Sequence, residues 1–472
     1  MKNKSFLIAL SVFAVLLGAY FLTREPQVSE GIKTLEWPEL KAEQVQAVEV
    51  SGTHQARLER SPNGWLVAAP ATPDVKHKAD EGQVKALLEA LASFKAPTLV
   101  SERSAKHAEY EVDAAKGTQV KVTTADGRAL ALVLGKAGRT GGVYVRKDGA
   151  DSVFLSPSGL AWQVRKDVTA WRDKTLSTVP AAELAKVTVS WPDGHTYSLK
   201  AGADGAWALE GEAPKGFRFD PAAAQRLTSQ LTSLRAQGFL ANETPDLAKA
   251  IRFRLEKKDG AALTVSLAEK RSDGSWPVSI EGLTEVATLG SWVGEQLAKR
   301  LDDLRDTSLF SFDVTKATRL AFDAAGKRTV VEKKDATWTV VDPRQLPAGA
   351  QFDPQQVQSV LTRLRALKAS KVAPDATAKA FAKPALQVTV TLEGGATQRL
   401  LLGADAGSDV YARGAVDELT WLLPGHEKAW LTRGLELFAP PPPPPVGQAN
   451  GLDQLPPEIR RQLEAQLRAN TH

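Results

Sequence analysis

Cysteine is missing from all 472 residues of the chain. Its absence excludes disulfide bonds, thiolate metal sites, a cysteine nucleophile and a lipid-modified N-terminal cysteine. Basic and acidic residues also nearly balance, because 60 basic and 55 acidic residues leave a net charge of only +5. Nucleic-acid-binding proteins concentrate basic charge on one face, and no dense Lys/Arg block occurs here. We therefore expect no nucleic-acid partner.

Recognisable catalytic motifs are also lacking. The six histidines form neither HExxH nor another compact set of metal ligands. The glycine-rich segment GKAGRTGG, residues 135–142, joins two predicted strands and lacks the Lys-Ser/Thr ending of a phosphate-binding loop. GxSxG, SxxK and paired-carboxylate signatures do not occur. We therefore expect no enzyme activity and no catalytic, cofactor-binding or metal-binding residues.

The chain does contain a long apolar segment near its start. Residues 5–22 carry no charge and no proline, and a helix of this length spans roughly 27 Å, close to the hydrocarbon thickness of a bilayer. Lys2 and Lys4 favour a cytoplasmic N-terminus. We expect residues 1–25 to form a transmembrane anchor that contacts lipid through residues 5–22, with the rest of the chain outside. A cleaved signal peptide is the alternative, although no A-x-A site follows the segment.

The remainder contains three copies of one pattern, with a period near 133 residues. Asp220-Pro221 and Asp353-Pro354 lie 133 residues apart and predict helix starts, because Asp is a good N-cap and Pro suits the first helical position. Asp80 opens the matching helix of the first copy. The apolar residues that follow have the spacing of one helix face. They are Val84, Leu87, Leu91 and Phe94; Ala224, Leu227, Leu231 and Leu234; and Val357, Val360, Leu364 and Leu367.

Strand patterns surround each helix. A strand pair and a tryptophan precede it, and a glycine-turn hairpin and a closing strand pair follow it. The tryptophans are Trp65, Trp207 and Trp338, and the turn glycines are Gly127, Gly260 and Gly394. The order β-β-α-β-β-β-β-α, with hairpin-length connections, predicts an α+β fold of antiparallel sheet with packed helices. We place the three modules at residues 38–178, 179–310 and 311–438.

Two sets of recurring residues invite a functional interpretation. We expect the three tryptophans to seal the sheet–helix cores rather than to stack on a ligand. The closing strands contain Tyr144 and Arg146 in the first module and Tyr411 and Arg413 in the third, and the middle module has neither. Strand alternation places each Tyr and Arg on one face. We hypothesise an interaction site at these pairs; a solvated edge pair is the alternative.

Residues 439–472 combine a proline-rich linker with an amphipathic segment. The uninterrupted run Pro440–Pro445 predicts an extended polyproline spacer. Beyond it, Pro456-Pro457-Glu458 favours a helix start, and the helix is too short to be stable alone in water. The residues on its apolar side are Ile459, Leu463 and Leu467. We expect this helix to dock on a partner; a frayed tail is the alternative.

The whole pattern resembles the bacterial family known as domain of unknown function 4340. The resemblance covers nearly all of residues 1–438 and rests on the anchor, the Gly-Trp hairpins, the Phe-Asp-Pro helix starts and two closing segments, TAWRDKTL (Thr169–Leu176) and DLRDTSL (Asp303–Leu309). The third copy departs from the pattern, because it ends in Leu431-Thr432-Arg433-Gly434 without the Arg-Asp pair.

Members of this family look like single-pass envelope proteins, often encoded beside ABC-2-type transporters of the gliding-motility type. The resemblance therefore implies a protein of the bacterial inner membrane with its bulk in the periplasm. It also implies an accessory role at a membrane complex, and it supplies no catalytic residues.

Three functions compete at this stage. The first is a non-catalytic accessory or scaffold protein of an ABC-type transporter complex, since three similar modules on a tether offer surface for protein contact. The second is a module that binds envelope polysaccharide or peptidoglycan through exposed aromatic residues. An enzyme is the weakest of the three. Exposure of the tryptophans separates the first two, because buried rings favour the scaffold.

Overall fold

The computed structural model describes residues 34–441, apart from residues 140, 158, 178, 241, 242, 244, 325 and 375–377. The expected anchor, residues 5–22, lies outside the described residues, as do Ile459, Leu463 and Leu467 of the expected tail helix. No helix in the described part is long and apolar enough to cross a membrane.

One nine-stranded antiparallel sheet forms the first module. Its strands are β1 (Val45–Ser51), β2 (Ala56–Ser61), β3 (Gly64–Ala69), β4 (Thr72–Lys78), β5 (Thr98–Ser101), β6 (Thr118–Thr124), β7 (Ala129–Ala137), β8 (Val143–Lys147) and β9 (Val153–Ser156). They pair in the order β4-β3-β2-β1-β6-β7-β8-β9-β5.

The second and third modules repeat this sheet with eight strands each. The second contains β10 (Leu184–Ser190), β11 (Thr196–Ala201), β12 (Trp207–Leu209), β13 (Gly238–Leu240), β14 (Ile251–Lys257), β15 (Ala262–Leu267), β16 (Trp276–Ile280) and β17 (Val286–Leu289). The third contains β18 (Ala317–Ala324), β19 (Lys327–Lys334), β20 (Thr337–Asp342), β21 (Lys371–Val372), β22 (Leu386–Leu392), β23 (Thr397–Ala406), β24 (Asp409–Arg413) and β25 (Thr420–Pro424). Their orders, β12-β11-β10-β14-β15-β16-β17-β13 and β20-β19-β18-β22-β23-β24-β25-β21, match the first sheet without its edge strand β4.

Each module has one twelve-residue helix and at least one shorter helix. The helices are α1 (Glu81–Ala92), α2 (His107–Tyr110), α3 (Leu160–Val164), α4 (Val168–Trp171), α5 (Pro221–Thr232), α6 (Ser291–Leu297), α7 (Pro354–Arg365) and α8 (Gly425–Leu431). The carboxylates of Asp80 and Asp353 cap α1 and α7, as predicted. Every residue of the three predicted apolar stripes is 5% exposed or less. The α+β fold in three repeated modules is therefore confirmed.

The three tryptophans that open the predicted cores occupy equivalent strands. Trp65 lies on β3, Trp207 on β12 and Trp338 on β20, the third strand of each sheet in chain order. Their exposures of 4%, 6% and 8% show that all three rings are buried. The interpretation of these residues as core, rather than as a ligand platform, is confirmed.

The predicted element order was wrong in one respect, because the second and third modules each have two more strands than expected and the first has three more, the third being its edge strand β4. The segment with the tryptophan is itself a strand. A strand of four, three or two residues then follows the long helix as β5, β13 or β21 and pairs with the closing strand at the far edge of the sheet. Strands this short show too little alternation to be recognised from sequence.

The described residues divide into two compact units, one within residues 1–207 and 225–299 and the other within residues 208–224 and 300–472. The division cuts through the second module. Its physical cause is the segment before α5, since Phe219 pairs with Arg305. Residues 208–224 therefore group with the later part of the chain.

Candidate interaction surfaces

The predicted Tyr144/Arg146 pair holds a segment of its own module. The ring of Tyr144 lies 4.6 Å from the ring of Tyr110, centroid to centroid. Arg146 Nε donates a hydrogen bond of 2.6 Å to the carbonyl of Val112. Gly135 permits this packing, because a Cβ atom there would lie 2.1 Å from the carbonyl oxygen of Tyr110. The pair thus fastens residues 110–112 onto the sheet.

The equivalent pair in the third module makes a related contact. The guanidinium of Arg413 lies 4.3 Å from the centre of the Phe381 ring, and Tyr411 is half-buried. Gly403 occupies the place of Gly135, since its Cβ atom would lie 2.4 Å from the carbonyl oxygen of Ala380. The middle module has buried Ala268 at this place and has no Tyr/Arg pair. Intramolecular packing accounts for both pairs, and their role in partner binding stays a prediction.

Two tryptophans outside the cores face solvent. Trp162 on α3 is 84% exposed and Trp292 on α6 is 65% exposed. Trp162 borders a cavity of about 460 Å3, whose wall also includes His54, Gly142 and Arg165. Arg165 is held at this wall by a hydrogen bond of 2.5 Å from its guanidinium to the carbonyl of Gly135. An exposed indole beside a concave surface is suited to stacking on a ligand.

The closing segments that carry the Arg-Asp pair link successive modules, and we name residues 171–176 connector 1 and residues 304–309 connector 2. Each begins at the N-terminus of a long helix: the Asp80 amide donates to the Trp171 carbonyl, and the Asp220 amide to the Leu304 carbonyl, both at 2.8 Å. Each ends beside the next long helix, because the amide of Leu176 donates to the carbonyl of Leu234 at 2.9 Å. In connector 2 the amide of Leu309 donates to Leu367 at 3.1 Å.

Arg172 of connector 1 is the most enclosed cation of this junction, at 8% exposure. Its guanidinium lies 3.4 Å from the centre of the Phe239 ring and pairs with Glu285, and both partners belong to the second module. Glu285 Oε1 also lies 3.3 Å from Nδ1 of His77 on β4. Burial, followed by the positive charge of Arg172, lowers the pKa of His77. This cluster favours neutral His77.

The Asp of each connector is anchored by a cation that precedes the long helix. Lys78 Nζ lies 2.9 Å from Asp173, and Arg218 Nη1 lies 2.8 Å from Asp306. Burial opposes ionisation of Asp173, but hydrogen bonds from Thr175 and Lys78 outweigh it and lower the pKa of Asp173. The pKa of Asp306 is also lowered. The lowered pKa therefore favours the ionised carboxylate of the Asp in both connectors at neutral pH.

The third module is not followed by a connector with an Arg-Asp pair. The Asp353 amide donates to the Phe438 carbonyl at 2.7 Å, so Phe438 corresponds to Trp171 and Leu304. Ala439 and Pro440 then stand where connectors 1 and 2 have Arg and Asp. This end of the third module also borders a cavity of about 790 Å3.

A family model described as "Domain of unknown function (DUF4340)" matches residues 65–252 and 246–384. The chain belongs to this family. Both matches of the DUF4340 model run across a module boundary, at connector 1 and connector 2 respectively, so the family pattern contains the links as well as the sheets. No curated protein and no solved structure gives a match to the chain.

Sequence reasoning on this DUF4340 chain noticed the Arg-Asp closing segments but missed their role as links. The signal for that role was their spacing, since Arg172 and Arg305 lie 133 residues apart, each at the end of its module and just before the next. The cavities gave no recognisable sequence signal. In the described part of the chain, no three His, Asp or Glu side chains are grouped as metal ligands.

Proposed function

We propose that this protein is a non-catalytic accessory or scaffold subunit on the outer face of the bacterial inner membrane, associated with an ABC-type transporter complex. The observation that carries the proposal is the interlocking of modules by connectors with buried or paired charges. Links of this kind suit a scaffold that offers several modules to a partner. The apolar residues 5–22 support a membrane anchor. Family resemblance supports a transporter as the neighbour.

Affinity purification from detergent-solubilised membranes tests this proposal. We expect the tagged full-length chain to retain the permease and ATPase subunits of one transporter. A matched variant replaces residues 5–22 with an unrelated transmembrane segment of equal length and should retain the same subunits if the modules make the contact. Recovery of the tagged chain without any membrane-protein partner, under several mild detergents, contradicts the proposal.

The exposed indole of Trp162 favours a second candidate function, the binding of envelope polysaccharide or peptidoglycan. Pyranose rings stack on flat aromatic faces, and the adjacent cavity with the Arg165 guanidinium offers hydrogen-bond donors for hydroxyl groups. We predict that Trp162→Ala lowers binding to isolated cell-wall polysaccharide by about tenfold, since stacked aromatic contacts contribute on the order of 1 kcal/mol or more.

The matched control for this experiment is Trp292→Ala, because Trp292 is exposed on the equivalent short helix but does not border the cavity. It should leave binding unchanged. Co-sedimentation with polysaccharide measures both variants. Equal retention of Trp162→Ala, Trp292→Ala and the parent chain would contradict a binding site at Trp162.

A further inference from the structure

The largest cavity considered above lies at the C-terminal end of the third module and holds about 790 Å3. Its floor includes the apolar side chains of Phe322, Leu431 and Leu435. Its rim is charged and includes Lys327 and Arg433. A volume of this size is typical of sites that take a ligand or several side chains of a partner.

Comparison with the second module explains why this space is open. Thr329 pairs with Phe322 across the first hairpin, as Tyr197 pairs with Val189 in the second module. The larger Tyr197 ring is buried at the corresponding place, and its hydroxyl donates to the carbonyl of Lys299 at 2.7 Å. Thr329 is smaller and leaves the cavity. It is 7% exposed, and its hydroxyl has no hydrogen-bond partner among the described residues.

In the first two modules, the Asp that precedes the long helix pairs with a cation of the module that follows. Arg235 lies 3.3 Å from the Asp80 carboxylate, and Lys368 lies 3.8 Å from the Asp220 carboxylate. The equivalent Asp353 has no cationic partner within the described residues. The third module thus presents an apolar cavity floor and, separately, a helix-capping carboxylate that pairs with no cation of the described residues.

We propose that the C-terminal segment of the same chain, residues 457–467, docks in this cavity. Ala439 lines the cavity, so the chain leaves the third module at its edge. The residues from 440 to 456 reach about 55 Å when extended, which is ample for a return to that edge. The segment offers Ile459, Leu463 and Leu467 at intervals of four, one apolar face for the floor.

The charges of the segment complement those of the rim. Glu458 and Glu464 offer partners to the basic side chains of the rim, where Lys327, Arg328 and Arg433 outnumber Glu436, and Arg460 and Arg461 offer a cation to Asp353. A helix of this length is marginal alone in water. Docking gives it the apolar partner surface that it needs, so segment and cavity stabilise each other.

Hydrogen exchange on the purified full-length chain tests the docking. We expect slow exchange at residues 457–467 and at residues 431–439 of the cavity wall. Leu463→Glu should speed exchange about tenfold or more at both sites, because local opening then costs less free energy. Gln462→Glu introduces the same charge off the apolar face and should change neither.

A second variant tests the proposal by changing the cavity instead of the segment. Thr329→Tyr introduces the residue that is buried at the corresponding place in the second module, and it should release residues 457–467 while leaving α7 protected. Rapid exchange of the segment in the parent chain overturns the proposal. Protection of the segment that persists in Thr329→Tyr also overturns the proposal, because the segment then docks on another surface. Protection that is lost on dilution overturns it as well, because the segment then docks on a second copy of the chain. None of these outcomes depends on the transporter experiment.

Discussion

At the scale of single residues, the junction of the first two modules is held by one enclosed charge cluster. Arg172 stacks on Phe239 and pairs with Glu285, which also lies beside His77. The groups that face His77 are therefore one carboxylate and one guanidinium. Because burial is the largest influence, the pKa of His77 is lowered from its ordinary value of about 6.5.

This shift predicts an acid-sensitive junction. The unfolded chain binds a proton at His77 more readily than the folded chain, so the stability that neutral His77 contributes is present above about pH 6.5 and declines as pH falls below it. We expect urea unfolding of the parent chain to show this loss between pH 7.5 and 5.5. His77→Gln should show a smaller pH dependence, whereas His195→Gln, at an exposed turn, should behave like the parent. Identical pH profiles for the parent and His77→Gln would contradict the assignment.

Some residue roles were readable from sequence and others were not. The burial of Trp65, Trp207 and Trp338 followed from their recurrence before a helix. The contact between Tyr144 and Tyr110 did not, because the two residues lie on separate elements and only the folded sheet brings them together. The exposure of Trp162 could not be predicted from the sequence either, because the short helices α3, α6 and α8 carry their tryptophans at different positions.

At the scale of elements, each long helix crosses from one edge of its sheet to the other. In the first module α1 follows edge strand β4 and precedes edge strand β5. The helix was predictable because its apolar period extends over three turns. The short edge strands were not, since two to four residues carry almost no pattern. Connectors 1 and 2 could be recognised in the sequence as motifs. Their hydrogen bonds beside the next long helix could not be predicted, because these contacts join residues that are far apart in the sequence.

The middle helix offers a direct test of how independent the modules are. Leu231 on α5 is fully buried, and truncation of a buried Leu to Ala typically costs about 2–5 kcal/mol. We predict that Leu231→Ala speeds hydrogen exchange throughout β10–β17 and leaves β1, β6, β18 and β22 largely protected. Gln225→Ala on the exposed side of α5 should have little effect.

Two outcomes would contradict the modular account. Equal deprotection of all three sheets by Leu231→Ala would show one continuous cooperative unit, and no measurable change would show that Leu231 is not part of the core.

At the scale of the whole molecule, the segment before the first module makes contacts similar to those of a connector. The Leu35 amide donates to the Ala96 carbonyl at 3.0 Å, and Trp37 Nε1 donates to the Leu91 carbonyl at 3.2 Å. The amide of Leu176 in connector 1 likewise donates to the carbonyl of Leu234, at 2.9 Å. The expected anchor ends at residue 22, so at most about 40 Å of chain separates the bilayer from this docked segment.

Orientation of the chain across the membrane is the central claim, and a pair of reporters fused to the C-terminus measures it. One reporter, alkaline phosphatase, is active only outside the cytoplasm, and the other, a green fluorescent protein, folds to its fluorescent form only inside. We predict high phosphatase activity and no fluorescence, because the basic residues Lys2 and Lys4 favour a cytoplasmic N-terminus and the apolar run of residues 5–22 has the length expected for one crossing. Fluorescence without phosphatase activity would place the three modules in the cytoplasm and contradict the account.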